Sequence, residues 1–297
     1  MNYGLPYMGS KNGIAEWVLS KMPKREHLYD LFCGGCAITH AALFTNKFKT
    51  IHANDLNPAS KLFIDAAKGK YHNETRWISR KEFERLKDKE PYVAYVWSFG
   101  NNMKGYLYSP QNERIKKALW QAIVFNDYSL ADEIGMPIKR TKETELKKRR
   151  LDIMQHWKKY GVKKIDKRCE LQSLESLERL QSLQSLERLE RLQSLEYTNK
   201  SYNEVEIKEN SLIYCDIPYK LTASYVVGSF NHEEFYEWAK RQSELVMISE
   251  YSMPKGFTCV AQIQKRNTLS TNQKAVEKLF VPDNQIELYN QLKQARK

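Results

Sequence analysis

The amino-acid sequence predicts an α/β fold in which one sheet domain is interrupted by a helical insertion. Strand and helix patterns alternate through the first sixty residues, and the alternation returns near Val205. Between them, residues 79–157 have a helical composition without a convincing strand pattern. Alternating strands and helices are typical of a parallel sheet covered by helices. We therefore expect a discontinuous α/β domain, residues 1–70 and 203–297, around an insertion at residues 71–202.

The N-terminal elements follow a strand–turn–helix–strand pattern. Residues 27–32 predict a strand, and Gly34-Gly35 turns the chain into a helix over residues 37–44. Residues 51–55 predict a second strand, and Pro58 opens the next helix at a position that favours proline. This order begins a βαβ unit with parallel strands.

The C-terminal elements complete the sheet. Apolar segments predict four strands, at residues 211–216, 245–251, 258–264 and 276–281. Asn231 predicts a helix N-cap, and Glu234 stands three residues on, where a capping box places its second partner.

The insertion ends in a repeat with a leucine at every third position from Leu171 to Leu195, nine leucines in all. Coiled coils instead alternate steps of three and four. On an α-helix a three-residue step drifts by about 60° per leucine, whereas a 3₁₀ helix would align the leucines but is usually short. We expect a helical segment with local 3₁₀ winding that serves as a spacer or arm, its length variable with the number of repeats.

Composition favours a cytoplasmic protein. The chain has 297 residues, 41% of them apolar, without an apolar run of membrane-span length or a signal-peptide pattern at its start. Five cysteines, an odd number, argue against a secreted disulfide framework. Cys33 and Cys36 have the spacing of a zinc or redox pair, but no second pair follows. We interpret them as small residues of the glycine turn and expect no metal and no membrane partner.

Positive charge is concentrated in one segment. The net charge is +12, and residues 139–168 hold thirteen Lys and Arg against four Asp and Glu. A solvated helix face is the alternative, but like charges at this density repel unless a polyanion neutralises them. Nucleic-acid phosphate fits that role. The candidate DNA-binding residues are Lys139, Arg140, Lys142, Lys147, Lys148, Arg149, Arg150, Lys158 and Lys159.

The strongest local signal for a site is Tyr-Cys-Asp-Ile-Pro-Tyr at residues 214–219, directly after an apolar run. Ligands of open α/β sheets bind at such carboxyl ends of strands. The Asp216 carboxylate and the Ile217 carbonyl can accept the two protons of an exocyclic amine, and Tyr219 offers a stacking face. Alone, the segment also fits an ordinary strand end.

Three further segments support a binding site. The glycine turn at residues 32–35 lets the backbone approach a ligand closely, although it lacks the spacing of a dinucleotide site. Asp55 ends the next strand, where a carboxylate can hold a ribose diol or cap the following helix. Residues 6–11 add an aromatic face at Tyr7 and a cation at Lys11.

In this order the segments resemble the D12 class of DNA adenine N6-methyltransferases, the Dam-type and phage enzymes. The matching segments are Tyr7-Met8-Gly9-Ser10-Lys11, Phe32-Cys33-Gly34-Gly35, Asn54-Asp55-Leu56-Asn57 and Asp216-Ile217-Pro218-Tyr219. Two positions depart from the family pattern. Ile217 replaces the second residue of the (D/N/S)-P-P-(Y/F) motif, and Cys36 stands where the second glycine of FxGxG belongs.

The resemblance implies a Rossmann-like, S-adenosylmethionine-dependent methyltransferase sheet with a helical target-recognition insertion. It implies that the enzyme methylates N6 of adenine in double-stranded DNA, by base flipping and direct in-line transfer. The implied catalytic residues are Asp216, Ile217, Pro218 and Tyr219. The implied S-adenosylmethionine contacts are Tyr7, Lys11, Asp55 and Asp216, with Phe32, Gly34 and Gly35 lining the methionine and sugar side.

Other functions fit parts of this pattern. The same chemistry could act on cytosine N4, RNA adenine or a protein glutamine. A protein with this fold could also bind DNA without catalysis, which the departures at Ile217 and Cys36 would favour. Members of a restriction-modification system work beside a cognate nuclease, so a nuclease partner is a further alternative to an enzyme that acts alone.

Overall fold

The structure, a computed structural model, describes residues 3–5, 9–101, 103–156, 175–186, 192–218, 230–266 and 274–295. The strands are β1 (His27–Asp30), β2 (Thr50–Asn54), β3 (Leu195–Thr198), β4 (Ser211–Cys215), β5 (Leu245–Glu250), β6 (Phe257–Arg266) and β7 (Lys274–Pro282). Within these described ranges they form one seven-stranded sheet in the order β3-β2-β1-β4-β5-β7-β6. Strands β1 to β5 pair in parallel, and β7 runs antiparallel to β5 and β6. The predicted α/β class and its parallel sheet are confirmed.

The chain divides into two compact units, Met1–Lys68 with Arg188–Lys297, and Gly69–Glu187. We call them the sheet unit and the helical unit. The sheet unit contains α1 (Ala15–Lys21), α2 (Ala37–Leu43), α3 (Pro58–Ala67), α10 (His232–Arg241) and α11 (Ile286–Gln294). The helical unit contains α4 (Arg80–Leu86), α5 (Pro91–Val96), α6 (Pro110–Phe125), α7 (Ser129–Glu133), α8 (Leu146–His156) and α9 (Glu175–Ser185). No helix in the described part of the chain is both long and apolar enough to cross a membrane.

The sheet has its topological switch point between β1 and β4. The chain leaves β1 toward β2 on one side, while β4 pairs with β1 on the other. Every residue of β4 and β5 is buried, as expected of central strands covered on both faces. Ligands of such sheets bind in the crevice at the carboxyl ends of the strands that flank the switch point. The segments after Asp30 and Cys215 therefore border the expected crevice.

Local cap signals place two helices as predicted. Asn231 accepts a hydrogen bond from the Glu234 backbone N–H (3.2 Å) at the start of α10. Asn57 accepts one from the Ala59 N–H (2.9 Å), and Pro58 is the first residue of α3. Each cap satisfies a backbone donor that the first helical turn leaves without an intrahelical partner.

The leucine repeat is a structural part of the helical unit. Residues 175–185 form the α-helix α9, and residues Leu192–Ser194 form a 3₁₀ turn. The leucines of this stretch that the structure describes are buried, at Leu177, Leu180, Leu183 and Leu186. The Ser176 Oγ lies 2.8 Å from the Tyr108 hydroxyl. The spacer interpretation is wrong for this stretch, because side chains buried in a core cannot belong to a free arm.

The last leucine of the repeat begins β3, a strand that the sequence patterns do not predict. It lies inside the predicted insertion at residues 71–202, yet it pairs with β2 at the edge of the sheet. Because only Leu195 of the four residues is fully buried, the strand shows little apolar alternation in its sequence.

Candidate active site

A cavity of about 330 Å³ opens in the sheet unit at the carboxyl ends of β1, β2 and β4. The predicted site residues that line it are Lys11, Phe32, Gly34, Gly35, Asp55, Asp216 and Pro218. Ile217 does not line it and instead has its side chain in the adjoining core. Tyr7 and Tyr219 lie outside the described residues. Segments far apart in sequence thus meet at the crevice that the switch point predicts.

The glycine turn after β1 forms one wall. Gly34 has φ of +49°, and Cys36 has φ of +60° at the start of α2. Cys36 therefore takes the left-handed conformation that suits the glycine of the family pattern, at a cost of roughly 1–2 kcal/mol for a residue with a Cβ. The Cys33 and Cys36 sulfurs are 3.6 Å apart and both side chains are buried. The turn thus accommodates the buried Cys36 side chain in this left-handed conformation.

The extreme N-terminal segment packs directly on this turn. Gly4 has φ of +68°, and a Cβ there would stand only 2.3 Å from the Gly35 carbonyl oxygen. The Leu5 N–H donates to the same oxygen at 2.7 Å. Only glycine permits such a close backbone approach, so Gly4 fixes the N-terminal segment against the glycine turn.

Asp55 follows β2, and its carboxylate accepts hydrogen bonds from two backbone N–H groups of the cavity lining. One carboxylate oxygen accepts from the Gly34 N–H and the other from the Asn57 N–H, each at 2.7 Å. Burial raises its pKa, and these two hydrogen bonds oppose that rise. A carboxylate has about four acceptor positions. Asp55 can therefore hold the glycine turn and still accept hydrogen bonds from a ligand diol.

Asn54 joins three strand ends beneath the cavity. Its side-chain NH₂ donates to the Leu31 and Lys200 carbonyls, both at 3.1 Å. Its side-chain oxygen accepts from the Thr198 hydroxyl at 2.7 Å and the Lys200 N–H at 3.1 Å. The buried amide thereby fixes the segment after β3 beside the ends of β1 and β2.

Sequence reasoning missed the wall that this segment forms. Residues 200–203 line the cavity, as do Phe230, Asn231 and Glu234. Tyr202 and Phe230 flank the Phe32 ring, with centroids 5.5 and 5.6 Å from it. A usable signal existed in the Ser-x-x-Glu spacing of Ser201 and Glu204, which forms a capping box here and marks a structured turn. The three rings give the cavity an aromatic wall.

Lys11 and Asp216 form a partly buried ion pair just beyond the carboxyl end of β4. The Lys11 ammonium lies 2.7 Å from one Asp216 oxygen, with the lysine side chain 3% exposed and the aspartate 20% exposed. A lysine predicted to contact the cofactor therefore also holds the predicted catalytic carboxylate. Such a pair stabilises the orientation of Asp216 because moving either charge away leaves the other buried without this partner.

Asp30, the last residue of β1, carries a buried carboxyl oxygen without a hydrogen-bond partner. One oxygen accepts from the Thr39 hydroxyl (2.7 Å) and the Thr39 N–H (3.1 Å). The other, Oδ1, has none in the described structure, although the residue lines the cavity. Burial raises the pKa of Asp30 from 3.8 to about 7. An unsatisfied carboxyl at a cavity wall suits a ligand that brings a donor or a positive charge.

We expect Asp30→Asn to stabilise the protein more at pH 8 than at pH 5. Folding raises the pKa of Asp30, so the protonated carboxyl stabilises the folded protein relative to the unfolded chain. This stabilisation is fully present below about pH 4 and is lost as the pH rises through about 7. Asparagine can still accept from Thr39 but cannot ionise. Melting temperatures at both pH values, beside the exposed Asp88→Asn as control, check this, and equal gains at the two pH values would contradict it.

The charges around the cavity favour a cationic ligand. Four carboxylates line it, from Asp30, Asp55, Asp216 and Glu234, against two cations, Lys11 and Lys200. Complementary charge of this kind selects a ligand that carries positive charge. Among the described residues, no group of three or more His, Cys, Asp or Glu side chains could hold a metal ion.

The described part of the basic segment, residues 139–156, lies in the helical unit, on α8 and the chain before it. Lys139, Arg140, Lys142, Lys147 and Lys148 are exposed, whereas Arg149 and Arg150 are half-buried. Several pair with nearby acids, among them Lys139 with Asp152 (2.5 Å) and Arg140 with Asp132 (2.6 Å). Exposed pairs contribute little to stability, so an added polyanion can compete for these cations. Lys158 and Lys159 lie outside the described residues.

One comparison with known proteins identifies a family. The model of the family described as D12 class N6 adenine-specific DNA methyltransferase matches residues 7–253, which is most of the chain. The match begins at the N-terminal aromatic segment and continues past β5, and so includes every residue of the candidate site. No curated protein matches the chain.

Proposed function

This chain belongs to the D12 class of N6 adenine-specific DNA methyltransferases, and we propose that it transfers a methyl group from S-adenosylmethionine to an adenine flipped out of duplex DNA. The observation that carries the proposal is the position of Asp216 and Pro218 in the lining of a cavity whose carboxylates outnumber its cations. Adenine N6 methylation of DNA is the activity of the family.

The residues around the cavity fit S-adenosylmethionine, which supplies an electrophilic methyl group. Asp30 Oδ1 is an acceptor for its ammonium group, and Asp55 has acceptor positions for its ribose diol. Phe32, Tyr202 and Phe230 offer an aromatic wall for its adenine. The excess of carboxylates also suits a sulfonium cation. Tyr7 and Lys11 complete the binding set that the family resemblance implies.

Asp216 and the Ile217 carbonyl activate the target amine. The adenine N6 lone pair is delocalised into the ring, so the amine is a poor nucleophile. Two acceptors aimed at its two protons favour a tetrahedral nitrogen whose lone pair points at the methyl group. Asp216 is held by Lys11 at 2.7 Å, and the next backbone carbonyl belongs to a residue whose side chain is 1% exposed. Preorganised acceptors of this kind cost no rearrangement during the reaction.

For transfer in one in-line step, the main contribution of the protein is to hold the amine and the methyl group in the right geometry. Bound S-adenosylmethionine would supply the methyl carbon, its sulfur would leave as a neutral thioether, and the proton of the amine would pass to water, while Asp216 and the Ile217 carbonyl hold the amine. The base cannot be reached inside a duplex and must be flipped out. Tyr219, Pro218 and Asp216 then hold it, with Tyr219 stacking on its face.

The basic segment of the helical unit binds DNA phosphates in this proposal. Its exposed cations, net charge and location within the target-recognition insertion support that role. Phosphate contacts fix the position of a protein on the duplex, whereas sequence is read at base edges.

Neutralising Lys147 and Lys148 together is expected to weaken DNA binding and its salt dependence. Each phosphate contact adds about 0.9 to the slope of log K against log salt, so the slope should fall by about 1.8. Fluorescence anisotropy at several salt concentrations measures both quantities. Lys24→Ala with Lys49→Ala is the matched control, because both are exposed lysines at the amino ends of β1 and β2. An unchanged slope in the Lys147 and Lys148 variant would assign the segment another role.

Expression in a host followed by single-molecule sequencing of its DNA tests the proposal as a whole. We expect methylated adenines in one short sequence context, and none when the active-site variant Asp216→Ala is expressed. The same experiment reports the recognition site. Methylated cytosines would favour cytosine as the target base. Unmodified DNA, together with methyl label found in RNA or protein, would favour RNA or protein as the substrate.

A further inference from the structure

The turn that carries the reaction centre lacks the second proline of the family motif, and the structure holds it in another way. Its first residue, Asp216, is fixed by the buried Lys11 ammonium at 2.7 Å. Its second, Ile217, has a side chain that is 1% exposed in the core of the sheet unit. There it belongs to a cluster with residues of β4, β5 and α10, among them Ile248, Phe235 and Tyr236.

A third anchor comes from His232, the first residue of α10. Its Nε2 lies 2.7 Å from the Pro218 carbonyl oxygen. Because a carbonyl oxygen can only accept, this nitrogen carries the proton and donates it. The contact therefore fixes the backbone one residue beyond the Ile217 carbonyl, which is the proposed second acceptor for the adenine amine.

The histidine itself is held in place by its surroundings. Its ring lies edge to face on Phe230, with centroids 4.9 Å apart, and near Tyr236 at 6.2 Å. Phe230 is part of the aromatic wall of the cavity. The Asn231 cap fixes the start of α10 and with it the origin of the His232 side chain. Restricted rings make good donors because little side-chain freedom is lost when the hydrogen bond forms.

We propose that His232 is a positioning residue of the methyl transfer: by donating to the Pro218 carbonyl, it aligns the Asp216–Pro218 turn in place of the missing proline. The inference rests on the proposed function, since it assumes that this turn receives the target base. A proline at position 217 would fix its own φ and restrict Asp216 before it. Ile217 supplies neither restraint, so the turn depends on its packing and on the His232 hydrogen bond.

The tests are the rates and Michaelis constants of adenine methylation for His232→Ala and His232→Gln. Loss of one hydrogen bond to a positioned group predicts a kcat about tenfold lower for His232→Ala, with KM for DNA and S-adenosylmethionine within about twofold of wild type. Glutamine can present an N–H at a similar reach, so His232→Gln should recover most of the rate. Glu237→Ala, on an exposed position of the same helix, is the control and should match wild type.

The decisive arm combines His232→Ala with Ile217→Pro. If proline and histidine restrain the same turn, His232→Ala should have little effect once proline is present. The rate of the double variant should then stay above about half of the rate of Ile217→Pro alone. Melting temperatures and S-adenosylmethionine titrations confirm that each variant is folded. A His232→Ala rate equal to wild type, losses that multiply in the double variant, or a failure of glutamine to rescue would overturn the inference alone. A wild-type protein that methylates no adenine would overturn it together with the proposed function.

Discussion

Replacing Asp216 with alanine is expected to lower the rate of adenine methylation by at least about a hundredfold, the effect of removing one preorganised polar group at a reaction centre. The variant should bind duplex DNA as wild type does, because the proposed phosphate contacts lie in the helical unit. Rates come from transfer of labelled methyl groups to DNA, and binding comes from fluorescence anisotropy. Full activity of this variant would end the assignment of Asp216 as the reaction centre.

The ion pair with Lys11 calls for a second variant. Removing only the carboxylate leaves a 3% exposed ammonium without this partner, and breaking a buried pair in this way can cost about 3–5 kcal/mol. Asp216→Ala combined with Lys11→Met removes both charges. If the double variant regains thermal stability but stays inactive, unfolding is not the cause of the lost rate.

Replacing Asp55 with alanine is expected to act on cofactor binding instead. A hydrogen bond to a charged group contributes about 1.5–3 kcal/mol, so the affinity for S-adenosylmethionine should fall about 10- to 150-fold. The Gly34 N–H also loses its acceptor at 2.7 Å, which adds to the effect by loosening the glycine turn. Titration calorimetry measures the affinity directly.

The matched control for Asp55 is Asp65→Ala, an aspartate of α3 that pairs with Lys61 at 3.0 Å on the surface. It should bind the cofactor as wild type does. Saturating cofactor should restore much of the rate of Asp55→Ala, whereas it should not restore Asp216→Ala. Unchanged affinity in Asp55→Ala would remove the ribose role and leave only the capping role of this carboxylate.

The parts of the fold that follow from local sequence were predictable. Strands β4 and β5 contain the apolar runs 212–215 and 245–248, and the start of α10 carries its own cap at Asn231. β3 was not predictable because its edge position buries only Leu195 and because the three-residue leucine period overlays it. Tertiary pairing with β2, rather than local pattern, makes this segment a strand.

The site was predictable at the level of residues but not of contacts. The sequence indicates Lys11, Asp55 and Asp216 as polar groups at a ligand crevice, and all three line one cavity. It does not reveal that Lys11 forms an ion pair with Asp216, or that His232 donates a hydrogen bond to the Pro218 carbonyl. These contacts join segments whose separation along the chain carries no periodic or spacing signal. The conformations at the two departures from the family pattern are likewise visible only in the fold, where Cys36 has a left-handed backbone and the Ile217 side chain is buried.

The most direct test of the central claim is to incubate the protein with duplex DNA and methyl-labelled S-adenosylmethionine, digest the DNA, and identify the labelled nucleoside by mass spectrometry. RNA and protein substrates run in parallel under the same conditions. The account predicts label in N6-methyldeoxyadenosine from duplex DNA, and none when Asp216→Ala replaces the wild type. Label in N4-methyldeoxycytidine, in RNA or in protein instead, or no label in any substrate, would contradict it.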